Sequence, residues 1–182
     1  IQNSKLKTQN SNAKFKVIAN LPFYLTGPVI RKFLEYKNKP ELMVLVIQKE
    51  VAQRICAQPP NMNLFSVSVQ FYAKPKIIAY ISKKSFWPSP KVDSAIIKLI
   101  PHYKFAKSYI EEELLRRKFF KIIKAGFSQP RKQLANNLSK MLKLKKENVK
   151  IWLLKNDIKP EKRAEELTLK DWLNLTKSFN GK

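Results

Sequence analysis

Apolar residues fall into two regimes along this chain. In the first half they come in short runs. Residues 15–19 and 42–47 are compact apolar stretches of the length expected for strands covered on both faces. Residues 76–81 and 94–100 read as two further strands. Between the runs the spacing turns helical. Thr26 is placed to cap a helix over residues 26–36, with Pro28 in its first turn. Residues 49–57 suit a short helix, which Pro59 and Pro60 stop. Leu64–Tyr72 is ambivalent: Phe65, Val67, Val69 and Phe71 alternate as in a strand.

After residue 101 the period is three to four. Ile110, Leu114, Phe119 and Ile123 mark one helix face, and Leu134, Leu138 and Met141 mark another. Ser108 and Glu111 have capping-box spacing. Glu111 and Glu113 precede Arg116, Arg117, Lys118, Lys121 and Lys124, an order that suits the helix dipole. Gly126 is expected to end that helix and Ser128 to cap the next. Further helices are expected over residues 149–154 and Leu169–Lys177, the latter capped by Thr168. The pattern predicts a polar, ragged start (1–14), an α/β sheet part (15–101) and a small all-α part (102–182).

The chemistry concentrates where the first strand ends, at Asn20-Leu21-Pro22-Phe23. Ligands of open α/β sheets bind at the C-terminal ends of strands. This quartet fits methylation of an exocyclic amine on a flat base. Such an amine is a poor nucleophile, because its lone pair is delocalised into the ring. The Asn20 side-chain oxygen and the Leu21 carbonyl can hold its hydrogens and turn the lone pair outward. Pro22 biases Leu21 to extended geometry. Preplaced acceptors stabilise the positive charge that develops on nitrogen. Phe23 can stack on the ring. An ordinary strand and turn would use the same residue types. A second aromatic element, Phe86-Trp87-Pro88-Ser89-Pro90, lies between the last two strands. Phe86 is the candidate for the opposite wall of the pocket, whereas Trp87 is expected in the core beneath a proline-rich turn. Asp93 is read as ordering loop and strand.

Charge adds a partner. Lys and Arg number 37 against 13 Asp and Glu, a formal net charge of +24. A surface so basic binds phosphate by releasing counterions. No stretch approaches the roughly 18 apolar residues needed to span a bilayer. Cys56 is the only cysteine, expected on an apolar helix face, so no disulfide can form within the chain. The one histidine, His102, stands far from Cys56 in sequence and is read as a surface residue after a strand. No metal site is expected.

Four segments carry a family resemblance that runs from about Lys16 to Leu175. They are Asn20-Leu21-Pro22-Phe23 with Thr26-Gly27-Pro28; residues 46–54; residues 86–95; and Phe127-Ser128-Gln129-Pro130-Arg131-Lys132 with Leu134, Asn137-Leu138 and, later, residues 163–167. In order and spacing they resemble the KsgA-type rRNA adenine dimethyltransferases. The family usually has Tyr where Phe23 stands, so stacking survives here but a phenolic hydrogen bond does not. The resemblance implies a Rossmann-like class I methyltransferase sheet followed by a small helical domain, with Leu64–Tyr72 helical. It implies dimethylation, from S-adenosylmethionine, of two adjacent adenosines in a hairpin of small-subunit rRNA. It implies a role in assembly of the immature small ribosomal subunit, in the cytoplasm, as a monomer when complete. Asn20, Leu21, Pro22, Phe23 and Phe86 would be catalytic, Asn20 would also touch the cofactor, and Arg131, Lys132, Arg116 and Arg117 would contact RNA. Arg163 with Glu165 is expected as a structural ion pair.

One expected element is missing. A Gly-rich turn and an acidic ribose ligand normally open such a fold. The glycines are Gly27, Gly126 and Gly181, so no Gly-x-Gly loop exists in the chain. The chain is therefore expected to be the C-terminal two-thirds of such an enzyme, inactive by itself. Other readings stay open: a resistance methyltransferase of large-subunit rRNA, a non-catalytic nucleic-acid-binding relative, and a purely structural ribosome-binding module. The large-subunit relatives usually have Ile where Leu21 stands.

Overall fold

The computed structural model describes residues 14–36, 38–102 and 109–180. Residues 1–13 and Ser108, on which the ragged start and the Ser108 capping box rest, lie outside them.

Among the described residues four strands form one mixed sheet: β1 (Lys16–Asn20), β2 (Leu42–Gln48), β3 (Ala73–Ile81) and β4 (Ser94–Pro101), in the order β1-β2-β4-β3. β1 runs parallel to β2, with Asn20 opposite Val46, and β4 runs antiparallel to both β2 and β3. β2 buries Met43, Leu45 and Ile47 completely, and β4 buries Ala95, Ile97 and Leu99. β3 is an edge strand, which is why Pro75 is tolerated within it. A register shift between Ile77 and Ala79 leaves Ile78 half exposed.

Among the described residues of this half the α-helices are α1 (Thr26–Glu35), α2 (Lys49–Ile55) and α3 (Leu64–Tyr72). α3 resolves the ambivalent segment. Asn63 caps it, its side chain accepting from the Ser66 N–H at 3.0 Å while Ser66 Oγ accepts from the Asn63 N–H at 2.9 Å. Ser66, Val67, Val69, Gln70, Phe71 and Tyr72 are all buried. A helix covered nearly all round needs no polar stripe, so alternating apolar residues fit it as well as they fit a strand.

Among the described residues the α-helices that follow are α4 (Tyr109–Gly126), α5 (Leu134–Leu142), α6 (Lys146–Leu154) and α7 (Leu169–Lys177). α4 packs on α5 and α7, and Phe119, Ile122 and Ile123 are fully buried. Ile110 and Leu114, expected on the same buried face, are 71 % and 55 % exposed. The anchor to the sheet half is aromatic and lies farther along α4. Phe71 stacks on Phe119 at 4.3 Å between centroids, and Tyr72 on Phe120 at 5.8 Å. The Met62 N–H also donates to the Glu165 carbonyl at 3.0 Å.

Several local expectations change. Thr26 is not a cap: a 3₁₀ turn over Phe23–Leu25 precedes it, Leu25 is the N-cap, and Thr26 is already helical. Its Oγ1 is buried with no hydrogen-bond partner in the described structure. Ser128 is not a cap either, because α5 begins six residues later with Gln133 at its N-cap. The Asn137 side chain does the work instead, donating to the Gly126 and Gln129 carbonyls at 2.7 and 2.9 Å. Gly126 does end α4, but not through a positive φ. A Cβ there would overlap the Trp172 ring and sit 3.1 Å from Leu134 Cδ1. Close packing, not backbone freedom, requires this glycine. Thr168 does cap α7, accepting from the Asp171 N–H at 3.2 Å.

Cys56 sits at the C-cap of α2, half-buried, and burial raises its thiol pKa. His102 is not a surface residue. It is half-buried, its N–H donates to the Tyr72 carbonyl at 2.8 Å, and its Nε2 lies 3.3 Å from the Gln70 carbonyl. Burial lowers its pKa.

Candidate active site

The sheet order decides where the two aromatic motifs meet. β1 ends at Asn20, opposite Val46 of β2, and β4, running the opposite way, begins at Ser94, opposite Gln48 of β2, at the same end of the sheet. The loop from β3 to β4, which carries Phe86, therefore opens over the end of β1. A cavity of about 370 Å³ lies between them, lined by Asn20, Leu21, Pro22 and Phe23 from one side and by Phe86, Trp87, Pro88, Pro90 and Ser94 from the other.

Each wall has a local cause. The Leu21 N–H donates to the Val46 carbonyl at 3.1 Å, which continues the β1–β2 pairing one residue past the strand. Pro22 then holds φ −54° and ψ 137°, and the chain turns into Phe23–Leu25, with the Leu25 N–H donating to the Pro22 carbonyl at 2.9 Å. Among the described residues, neither the Asn20 side chain nor the Leu21 carbonyl is engaged in a hydrogen bond. Two residues with unengaged acceptors, Asn20 and Leu21, thus line one cavity together with the aromatic Phe23.

The opposite wall is a stiff loop. Asp93 Oδ1 accepts from the Lys83 N–H at 3.1 Å, and the Ser89 hydroxyl donates to the Lys83 carbonyl at 2.9 Å. The Asp93 carbonyl accepts from the Lys49 N–H at 3.0 Å, and Lys49 Nζ lies 3.7 Å from Asp93 Oδ2. The Lys83 N–H, more than the lysine charges, holds the Asp93 carboxyl below the usual carboxylate range. Asp93 is committed to the loop and does not line the cavity. Phe86 is half-buried in the wall. Trp87, expected in the core, is 99 % exposed at the rim. The run Trp87-Pro88-Ser89-Pro90 leaves the ring nothing to fold under. The sequence signal was its place directly beside Phe86 among lysines, which outweighs its bulk.

The candidate RNA contacts are distributed unevenly. Arg116 is turned inward: its Nε and Nη2 donate to Glu113 at 2.9 and 2.7 Å, and its Nη1 lies 3.8 Å from Glu35. The Tyr72 hydroxyl donates to Glu35 at 3.3 Å. Burial pushes the Tyr72 pKa up to about 12, and the Arg116 guanidinium holds Glu113 down at about 2. Arg116 is thus a brace between the helical half and α1. Arg117 is exposed and shares Glu113, at 3.0 Å. Arg131 and Lys132 are exposed, in the turn before α5 rather than at its start, and among the described residues neither side chain has an ion-pair partner. Arg163 and Glu165 do pair, at 3.8 Å.

Among the described residues there is no cluster of three or more His, Cys, Asp or Glu placed to hold a metal, and no helix long and apolar enough to cross a membrane.

Known proteins resemble this chain in sequence and in fold. Residues 2–181 match the family model for ribosomal RNA adenine dimethylase. The chain is 39 % identical over 176 residues to ribosomal RNA small subunit methyltransferase A of Dehalococcoides mccartyi, covering 96 % of this chain and 59 % of that protein. It is 42 % identical over 167 residues to the protein of the same name from Caldanaerobacter subterraneus, covering 91 % of this chain and 60 % of that one. In three dimensions it matches a dimethyladenosine transferase from Plasmodium falciparum with a TM-score of 0.72, at 26 % identity over 94 % of this chain and 69 % of that one. It also shares its fold with the 23S rRNA methyltransferase ErmE, at a TM-score of 0.71 and 18 % identity. The chain spans about three-fifths of the length of the curated relatives it matches. By sequence and by fold, the chain belongs to the ribosomal RNA adenine dimethylase family.

Proposed function

We propose that this chain carries the base-binding half of an enzyme that methylates N6 of adenosines in small-subunit rRNA, taking two adjacent adenosines of a hairpin to the dimethylated state. The observation that carries this reading is the single cavity in which Asn20, Leu21, Phe23 and Phe86 converge. An adenine entering it edge-first meets two acceptors. The Asn20 side-chain oxygen and the Leu21 carbonyl take the N6 hydrogens, so the amine turns its lone pair out of the ring plane. Phe23 and Phe86 sandwich the ring and fix its depth, and the base must leave its stack to reach them. The β1 pairing holds the Leu21 backbone, and with it the carbonyl, before the base arrives, so that acceptor needs little reorganisation as N6 becomes positive.

S-adenosylmethionine would supply an electrophilic methyl group, which Asn20 and Leu21 would turn the N6 lone pair toward, and N6 would lose a proton to solvent as the sulfur leaving group keeps the C–S electron pair. The donor set present fits the acceptor side of this reaction, and Asn20, at the strand end, is the residue of this chain that would touch both base and cofactor. The small-subunit assignment is supported by the names of the relatives, and a role in assembly of that subunit is part of the same proposal.

The test is methyl transfer from labelled S-adenosylmethionine to unmethylated small subunits. It compares this chain with the same chain joined behind the N-terminal part of a matched relative. Transfer by the joined protein, lost in Asn20→Ala, is the expected result. No transfer by either, with RNA binding intact, overturns the catalytic reading and leaves a binding module.

A further inference from the structure

The most exposed large apolar side chain among the described residues stands at the cavity's rim. Trp87 is 99 % exposed, although it lines the same space as Asn20 and Phe86. Its ring contributes almost no burial to the fold. Yet the loop that holds it is tightly built, by the Lys83–Asp93 and Ser89–Lys83 hydrogen bonds and by Pro88 and Pro90 on either side of Ser89. A bulky ring on a stiff mount loses little entropy when something stacks on it.

The surroundings specify the occupant. Lys83, Lys84 and Lys91, in the same loop, are exposed. The loop's one acid, Asp93, is already spent on the Lys83 N–H and on Lys49. The rim thus offers one flat apolar face among positive charges. A lipid surface calls for a broader apolar face than a single ring. A second copy of the chain would bring lysine against lysine. A nucleotide has both required parts, a flat base and a phosphate.

We propose that Trp87 is a stacking platform for the unpaired RNA nucleotide adjoining the base held in the Asn20–Phe86 cavity, with Lys83, Lys84 and Lys91 meeting its phosphates. The inference rests on the reading of that cavity as a base pocket. It gives the site a second, sequence-tolerant subsite that selects single-stranded over paired RNA, because a base in a duplex has no face to offer. Trp87 positions the RNA and takes no part in methyl transfer.

The test is fluorescence anisotropy of a short labelled single-stranded RNA with two adjacent adenosines, titrated with this chain and its Trp87→Ala and Trp87→Phe variants. Trp87→Ala weakens binding by about 10-fold or more, as loss of one aromatic–base stack does. Trp87→Phe recovers most of the loss. The slope of log K against log salt stays that of the wild type, because no phosphate contact is removed. Binding to a fully paired duplex of the same length is unchanged, and so is the urea midpoint, since the ring is outside the fold. Single-strand binding by Trp87→Ala within about twofold of the wild type, well short of one stacked base, overturns the inference. Equal losses on single-stranded and duplex RNA do the same. Binding and methyl transfer are separate readouts. Normal binding by Trp87→Ala alongside Asn20-dependent transfer sinks the subsite alone, whereas a stacking loss without transfer sinks only the catalytic reading.

Discussion

Gly126→Ala sets two effects against each other, and the structure decides the sign. Gly126 is the last residue of α4 and its φ is not positive, so alanine suits its backbone. Removing a glycine from a helix stabilises by about 0.5–1 kcal/mol. Against this, the new Cβ would overlap the Trp172 ring and press on Leu134 Cδ1 at 3.1 Å. Trp172 is fully buried, and Phe127 packs against its ring at 5.5 Å, so the ring has little room to retreat. Leu134 is equally buried. Overpacking of this kind costs about 1–3 kcal/mol. The clash wins, and the net expectation is a loss of about 1–2 kcal/mol. The assay is urea unfolding followed by helical circular dichroism, with the same change made in a Trp172→Phe background. Phenylalanine lacks the two ring atoms nearest the new methyl and leaves only the Leu134 contact at 3.1 Å, so there most of the Gly126→Ala penalty disappears. A wild-type or higher midpoint for Gly126→Ala alone refutes the packing argument. So does a penalty that persists when Trp172 is replaced.

Three further outcomes follow from named contacts. Asn137→Ala strips the Gly126 and Gln129 carbonyls of their shared donor inside the α4–α5 turn, costing about 2 kcal/mol in the same unfolding assay. Glu113 is held from its ordinary 4.5 down to about 2, chiefly by its hydrogen bonds to Arg116. Its folded value is the lower one, so its pairing contributes fully above 4.5 and is lost as pH falls through about 2. A carboxyl NMR titration reads this directly, and Arg116→Ala raises the midpoint toward the ordinary value. Arg131→Ala and Lys132→Ala each reduce the salt slope of RNA binding by about 1, because each removes one phosphate partner without touching a base. A slope unchanged in both variants removes these two residues from the interface.

β2 and β4 were legible because they are buried on the core side and bounded by turn residues, whereas β1, expected to be covered on both faces, leaves Ile18 79 % exposed. The helices after residue 101 were legible from their spacing. What the chain did not disclose depends on neighbours distant in sequence. Thr26 looks like a cap because threonine before a helix usually is one, but the 3₁₀ turn at Phe23–Leu25 starts the coil early and buries the hydroxyl. Ser128 looks like a cap for the same reason, yet the backbone there is served by Asn137. Asn63-x-x-Ser66 was a readable cap, and it would have settled Leu64–Tyr72 as a helix without any resemblance. Arg116 and Arg117 are adjacent in sequence and equivalent in composition. Only the fold brings Glu35 and Tyr72 to Arg116 and leaves Arg117 facing solvent.

The site itself was half legible, and the reason lies in strand direction. Asn20-Leu21-Pro22-Phe23 can be read locally, because its residue types answer to one chemical task at the end of one strand. That Phe86 faces it cannot be read locally. It depends on β4 lying next to β2 and running against it. Had β4 been parallel to β2, its N-terminus would lie at the other end of the sheet and the Phe86 loop would open far from Asn20. A parallel return would also have required a crossover from β3 rather than the direct loop that joins them. The proline-stiffened loop over residues 82–93 joins β3 directly to its antiparallel neighbour β4, and that pairing delivers an aromatic wall to the end of β1. Pocket and loop are one structural decision. Changes that relax the loop, at Asp93 or Ser89, should accordingly impair base binding although neither residue lines the cavity.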